Sequence, residues 1–188
     1  MIFGVSVDLK KMNENDIELV RQWRNSREVS VHMISQSIIS EEQQIRWFES
    51  VKDSASQLYF VIQSKTGDKL GVVNFSKIDH VNGTAEPGLY IGVTSERNSL
   101  YGMEAYYLLL KYGFVELKLQ KVYGTALASN TTALKMNRSF GYTIEEIIKD
   151  GQIVDGVAID LVKLFLLKDE FYASPMMKFF ARSPNNDI

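Results

Sequence analysis

Asn130, Ala133, Asn137 and Phe140 are spaced by three, four and three residues, which sets them on one face of a helix. Two asparagines on an otherwise apolar inward face are unfavourable unless something hydrogen-bonds them. Asn130 also fits a helix N-cap, but that role leaves Asn137 unexplained. Upstream, Arg97-Asn98-Ser99-Leu100-Tyr101-Gly102-Met103 sits where a strand pattern ends and a helical one begins. A helix start presents backbone N–H groups without intrahelical partners, and these suit a phosphate. Gly102 either belongs to such a cradle or merely relaxes the turn into the helix, and a short glycine pattern alone does not decide.

The surrounding elements must position these groups. Val5–Leu9 alternates as a first strand, and Asn13 precedes acidic residues as a helix start would. Ile17, Val20 and Trp23 share a helical face, and Ser40 with Gln43 predicts a capping box for a second helix whose buried stripe is Ile45, Phe48 and Val51. Leu58–Ile62, Leu70–Ile78 and Thr84–Val93 read as three successive antiparallel strands, joined by Thr66-Gly67-Asp68 and the hairpin signal Asn82-Gly83. Met103–Leu117 is apolar almost all round and predicts a buried helix. Lys121–Ala128 is the next strand, parallel to its predecessor because a helix joins them. Thr131–Phe140 is a helix closed by Gly141, and two more strands flank an Asp150-Gly151 turn and run to Leu167. The pattern is α/β, a mixed and mostly antiparallel central sheet with helices on both faces. Where pairing changes from antiparallel to parallel, strands can splay and leave a ligand crevice.

Composition limits the function. At 188 residues with 45% apolar content, one domain over residues 1–168 is expected, followed by a tail over 169–188. The formal net charge of −2 offers no basic field for nucleic acid. There is no apolar run of bilayer length, and the absence of Cys removes thiolate chemistry. His32 and His80 are far apart, so no metal is expected. A cytoplasmic location is the default. Met176 to Phe180 is either a partner or self-contact surface, as in a homodimer, or a packed final helix; Ser183 to Ile188 reads as disordered.

The unit from Tyr90 to Tyr142 resembles the acyl-coenzyme A site of the GNAT N-acetyltransferase superfamily. In the family the phosphate loop reads Arg or Gln, two residues, Gly, one residue, Gly or Ala. Arg97 and Gly102 match its ends, while Leu100 takes the place of its first glycine. The likeness runs from Val5 to Leu166. It is closest to the branch with ribosomal-protein and spermidine acetyltransferases, on Leu119-Gln120-Lys121-Val122-Tyr123, Asn130, Phe140-Gly141-Tyr142 and Lys149-Asp150-Gly151 with Asp155. The front end, Trp23-Arg24-Asn25, Val29, Met33, Ile39-Ser40 and Trp47-Phe48, is similar to the aminosugar N-acetyltransferases of pseudaminic acid synthesis. Those enzymes acetylate the 4-amine of a UDP-linked dideoxy amino sugar. They often carry His where this chain has Gln44, and relatives can carry an aromatic where it has His32.

The resemblance implies acetyl-coenzyme A as co-substrate, held by Ile91, Gly92, Val93, Arg97–Met103, Asn130 and Asn137, and a small-molecule amine as acceptor. A backbone N–H near Ile91–Val93 would hold the developing oxyanion. Asn137 occupies a position that is often the Tyr that protonates the leaving thiolate, and an amide cannot act as that acid. The ammonium must lose a proton before it can attack, and Glu86 or His32 are the candidate bases. Arg24, Asn25, His32, Met33 and Trp47 are the candidate acceptor-site residues; guanidinium suits a nucleotide diphosphate, although Arg24 could equally cap its own helix. Two other readings stay open: a polyamine or protein N-terminus as acceptor, and a non-catalytic coenzyme A binding module.

Overall fold

The computed structural model describes residues 1–96, 100–154 and 156–181. Arg97, Asn98 and Ser99 of the expected phosphate loop, Asp155 and the Ser183–Ile188 end lie outside the described residues. Eight strands form one sheet: β1 (Ile2–Phe3), β2 (Val7–Lys11), β3 (Leu58–Ser64), β4 (Lys69–Asp79), β5 (Thr84–Ile91), β6 (Lys121–Leu127), β7 (Thr143–Val154) and β8 (Val157–Leu167). Their spatial order is β1-β2-β3-β4-β5-β6-β8-β7. Among these pairs only β5–β6 is parallel, as the helix between them requires.

That helix is α4 (Tyr101–Val115). Its apolar residues surround it because both sides are covered. One side lies on the sheet with Phe75, Val122 and Leu164; the other meets α6 (Lys168–Ala173) and α7 (Pro175–Ala181) through Phe171 and Phe180. Tyr107 stacks on Phe180 at 4.9 Å and Phe114 on Phe171 at 5.2 Å between centroids. The Met176–Phe180 stretch is therefore a packed final helix. On the opposite face α1 (Ile17–Asn25) and α3 (Glu41–Val51), linked by the one-turn α2 (Arg27–Ser30), bury Val20, Trp23 and Phe48 against Met12, Val61 and Val72. Helices thus cover both faces. Among the described residues no helix is long and apolar enough to cross a membrane, and no three His, Asp or Glu side chains group as metal ligands.

Four local expectations are corrected. β2 begins at Val7, not Val5, because the buried Glu104 carboxylate of α4 takes the Val5 and Ser6 amides out of the strand. The α3 cap is as expected, with Ser40 and Gln43 bonded reciprocally, but the buried stripe is Gln44, Phe48 and Val51, and Ile45 is exposed. Successive steps of three fall behind the 3.6-residue turn, so Ile45, Phe48 and Val51 drift apart around the helix, whereas steps of four and three stay together. Asp150-Gly151 is not the hairpin turn. It is a bulge inside β7, where the register shifts between Ile148 and Gln152 and Asp150 adopts φ 51°. The Asp150 N–H displaced from the ladder is taken by Asp160 at 3.0 Å, and β7 runs on to Val154 before the chain reverses. Helix α4 starts two residues earlier than Met103, at Tyr101.

Tyr106 of α4 and Tyr142 after α5 (Thr131–Ser139) share a hydroxyl–hydroxyl bond of 2.8 Å inside the core. Burial pushes both phenols up from the ordinary value near 10. Their stabilising share is complete below about pH 10 and lost as pH rises beyond it, since the unfolded tyrosines ionise first. Tyr142→Phe strands the Tyr106 hydroxyl, and a cost of about 1–3 kcal/mol in denaturant unfolding is expected. The double change to Phe should recover most of that loss, because both unmatched groups are then gone.

Candidate active site

The parallel pairing of β5 with β6 covers only Thr84↔Lys121 and Ala85↔Val122. Gly83 O accepts from Gln120 N, and Gly92 N donates to Leu70 O at 2.8 Å on the β4 side. Odd-numbered residues of β5 therefore direct their backbone groups toward β6, and even-numbered ones toward β4. The next odd position is Pro87, which has no N–H to give. Pairing with β6 stops there and the two strands part. Leu89 turns its N–H and C=O groups toward the resulting gap, as an exposed strand edge would toward a peptide-like ligand. Gly92 and Val93 do not, because both donate to Leu70 O, at 2.8 and 3.2 Å. Of the expected oxyanion donors, Ile91 is the odd-numbered one, with its backbone on the β6 side of the strand.

The start of α4 closes one end of that gap. A Cβ placed on Gly102 would stand 3.4 Å from Ile91 Cγ1 and 3.7 Å from Leu89 Cδ2, so the first turn sits beside the same stretch of β5. Leu100 makes no side-chain cap, and the first turn of a helix is where backbone N–H groups lack intrahelical partners. A 15-residue helix adds its dipole at this point. On α5 Asn130 is the N-cap, its Oδ1 accepting from Ala133 N at 3.1 Å. Asn137 is 8% exposed, so its amide lies on the inner face of α5. This donor set suits the phosphates and the amide-bearing arm of coenzyme A.

The other side of β5 faces α1 and α3. Residues 86, 88 and 90 alternate onto that side, with 74 and 76 of β4 and 59 and 61 of β3 beside them in register. Tyr90 and Tyr59 pack on the edge of the front cluster. Asn74 lies over Gly88, where a Cβ would stand 2.5 Å from its Oδ1. Trp47 meets Tyr59 edge-on at 4.9 Å. Burial pushes the Tyr59 and Tyr90 phenols up, and the nearby Arg24 guanidinium opposes that shift in both; both stay protonated at neutral pH, and the Tyr59 hydroxyl donates to Gln57 Oε1 at 3.1 Å. Arg24 Nη2 also donates to Ser35 O at 3.4 Å, which holds the 31–40 segment against the groove. A hollow of about 270 Å³ lined by Met12, Phe48, Val51 and Lys52 lies toward β2 and shares Tyr59 with this groove.

The remaining expected residues divide. Both polar atoms of Asn25 clamp the backbone of Ile39, at 2.8 and 2.9 Å, so its amide shapes the loop. His32 is exposed and Met33 half-buried on that loop. Glu86 shares the groove face but pairs with Lys77 at 2.9 Å. It stands five residues before Ile91, roughly 17 Å along the strand at about 3.3 Å per residue, so it can reach the amine only through a relay. Sequence reading missed Asn74 and Gly88; the signal was a polar residue at an alternate position of an otherwise apolar strand.

Residues 7–143 match the family of acetyltransferase (GNAT) domains. The spermidine N(1)-acetyltransferase of Escherichia coli K12 is 23% identical over 168 residues, 89% of this chain and 89% of its own. The acetyltransferase PseH of Campylobacter jejuni is 27% identical over 142 residues, 74% of this chain and 85% of its own. The spermidine N-acetyltransferase of Vibrio cholerae, solved in complex with CoA and spermine, superposes with a TM-score of 0.84 at 16% identity, covering 88% of this chain and 98% of that one.

Gly92 couples the two sides of the site. A Cβ there would collide with the Trp23 indole, so the ring lies directly on the backbone next to Ile91. Gly92→Ala should force Trp23 away, lower stability by about 1–3 kcal/mol as overpacking does, and impair both substrates. Thermal unfolding and initial-rate kinetics check this; unchanged rates would show that Trp23 placement is not tied to the site.

Proposed function

Because the chain belongs to the GNAT acetyltransferase family, enzymes that move an acetyl group from acetyl-coenzyme A to an amine, we propose that its acceptor is the amine of a nucleotide-linked amino sugar. The observation that carries this reading is Arg24, a cation near the groove whose guanidinium donates to Ser35 O at 3.4 Å. A guanidinium together with the Tyr90 phenol suits an acceptor rich in phosphate and hydroxyl oxygens. It repels a polycation. The carboxylates a polyamine would need are turned away: Glu41, Glu42 and Glu49 lie on the exposed face of α3, with Glu42 near Arg46 and Glu49 bonded to Lys52. The polyamine reading draws on the spermidine acetyltransferase relative and on Glu86, a carboxylate placed on the groove face. The PseH relative and the front-end residues support the sugar.

The chain's own groups divide the work. Leu89 would pair with the pantetheine arm, and the first turn of α4 with the phosphates. Acetyl-coenzyme A supplies the activated thioester carbonyl. A backbone N–H near Ile91–Val93 would hold the negative charge that builds on the carbonyl oxygen. Glu86, through a relay, would accept the proton that the amine must lose. As the new C–N bond forms and the C–S bond breaks, the Asn137 amide can donate a hydrogen bond to the departing sulfur without protonating it. His32, exposed and remote from β5 in the chain, is the second candidate base.

A thiol-release assay with acetyl-coenzyme A and a panel of UDP-4-amino sugars, spermidine and a peptide N-terminus tests the reading. Release with a sugar nucleotide is expected; release with spermidine alone would replace it by the polyamine reading. Coenzyme binding without release on any amine would favour a binding module. Glu86→Gln should lower kcat by about 10²–10⁴ and remove the acid limb of the pH profile, while His32→Gln should leave both near the parent. The reverse pattern would make His32 the base.

A further inference from the structure

Gln44 is 4% exposed on the inner face of α3, and among the described residues its Nε2 is the one buried side-chain nitrogen or oxygen without a hydrogen-bond partner. Other amides of the front helices are engaged: Asn13 and Gln43 in caps, and Asn25 in its clamp on Ile39. Enclosing an amide donor without a partner is unfavourable. The helical position would accept an apolar residue, since Phe48 and Val51 follow on the same stripe.

The place of Gln44 bears on the reaction. Its stripe packs into the cluster of Met12, Val20, Trp23, Phe48, Val61 and Val72, whose border carries Trp47, Tyr59 and Tyr90. Gln44 lies at the N-terminal end of that stripe, one turn into α3 and close in sequence to Ile39, where Asn25 at the end of α1 grips the loop. Trp47, three residues on, reaches Tyr59. Gln44 thus lies one turn before Trp47 on the helix that borders the acceptor groove.

Resting on the acceptor-site reading above, we infer that Gln44 is a specificity residue whose amide donates to an oxygen atom of the bound acceptor, a carbonyl, hydroxyl or phosphate oxygen. A polyamine offers no such atom, so the same amide that holds an oxygen-bearing amine counts against spermidine. Arg24 repels by charge and Gln44 discriminates by hydrogen bonding.

The test compares the parent with Gln44→Met, close in size and without a donor, and Gln44→Glu, which exchanges the donor for an anion. Initial rates are measured with UDP-4-amino sugar and spermidine, alongside acetyl-coenzyme A titrations and thermal melts. For Gln44→Met the expected result is a melting temperature equal to or above the parent's, unchanged acetyl-coenzyme A binding, and a fall of roughly ten- to hundredfold in kcat/KM for the sugar nucleotide. Gln44→Glu should shift the preference toward spermidine. If Gln44→Met gains stability and keeps the parental kcat/KM for the sugar nucleotide, the amide is only an unmatched core group and the inference is overturned. If the parent itself acetylates no sugar nucleotide, the acceptor reading fails first and takes this inference with it.

Discussion

The parting of β5 from β6 governs everything else in this molecule. A parallel pair that ran its full length would satisfy the backbone of both strands and leave no edge for a ligand. Pro87 prevents that at the first position after Ala85 that points toward β6. Leu89 beyond it keeps its polar groups turned toward a gap, with the dipole of α4 at its end. One missing N–H opens an edge inside the sheet.

The same strand separates the gap from the groove by simple alternation. Odd positions address the gap with backbone groups and pack their side chains under α4, as Leu89 and Ile91 do. Even positions present Glu86, the bare Gly88 under Asn74, and Tyr90 to the groove beneath α1 and α3. Gly92 follows the strand with Trp23 pressed on it, so the wall of the groove lies directly on the edge of the gap. The electrostatics of the groove are set by burial: the Tyr59 and Tyr90 phenols stay neutral because ionising them there is costly, and Arg24 is the charge they face.

Much of this was legible in the chain. The alternating strands, the Asn82-Gly83 hairpin, the Ser40 capping box and the all-apolar α4 are local patterns with local causes. Each appears where it was expected, within two residues. The Asn130–Phe140 spacing correctly placed Asn137 indoors. Misreadings arose where a distant group competed with a local preference. Glu104 pulls Val5 and Ser6 out of β2 from nearly a hundred residues away. Asp160 rescues the amide that lets Asp150-Gly151 stay inside β7 as a bulge.

The sequence by itself determined the order and type of the elements, the change from antiparallel to parallel pairing, and the family. These depend on periodicity and on the connection between neighbours, which the chain carries in its own order. Only the tertiary structure decided which face of α3 is buried, so that Gln44 and not Ile45 points inward. It also decided that Gly92 and Val93 donate to Leu70, and that Asn25 is taken up by Ile39. Those outcomes turn on register and on packing between segments far apart in the chain, where a shift of one residue exchanges one face for the other.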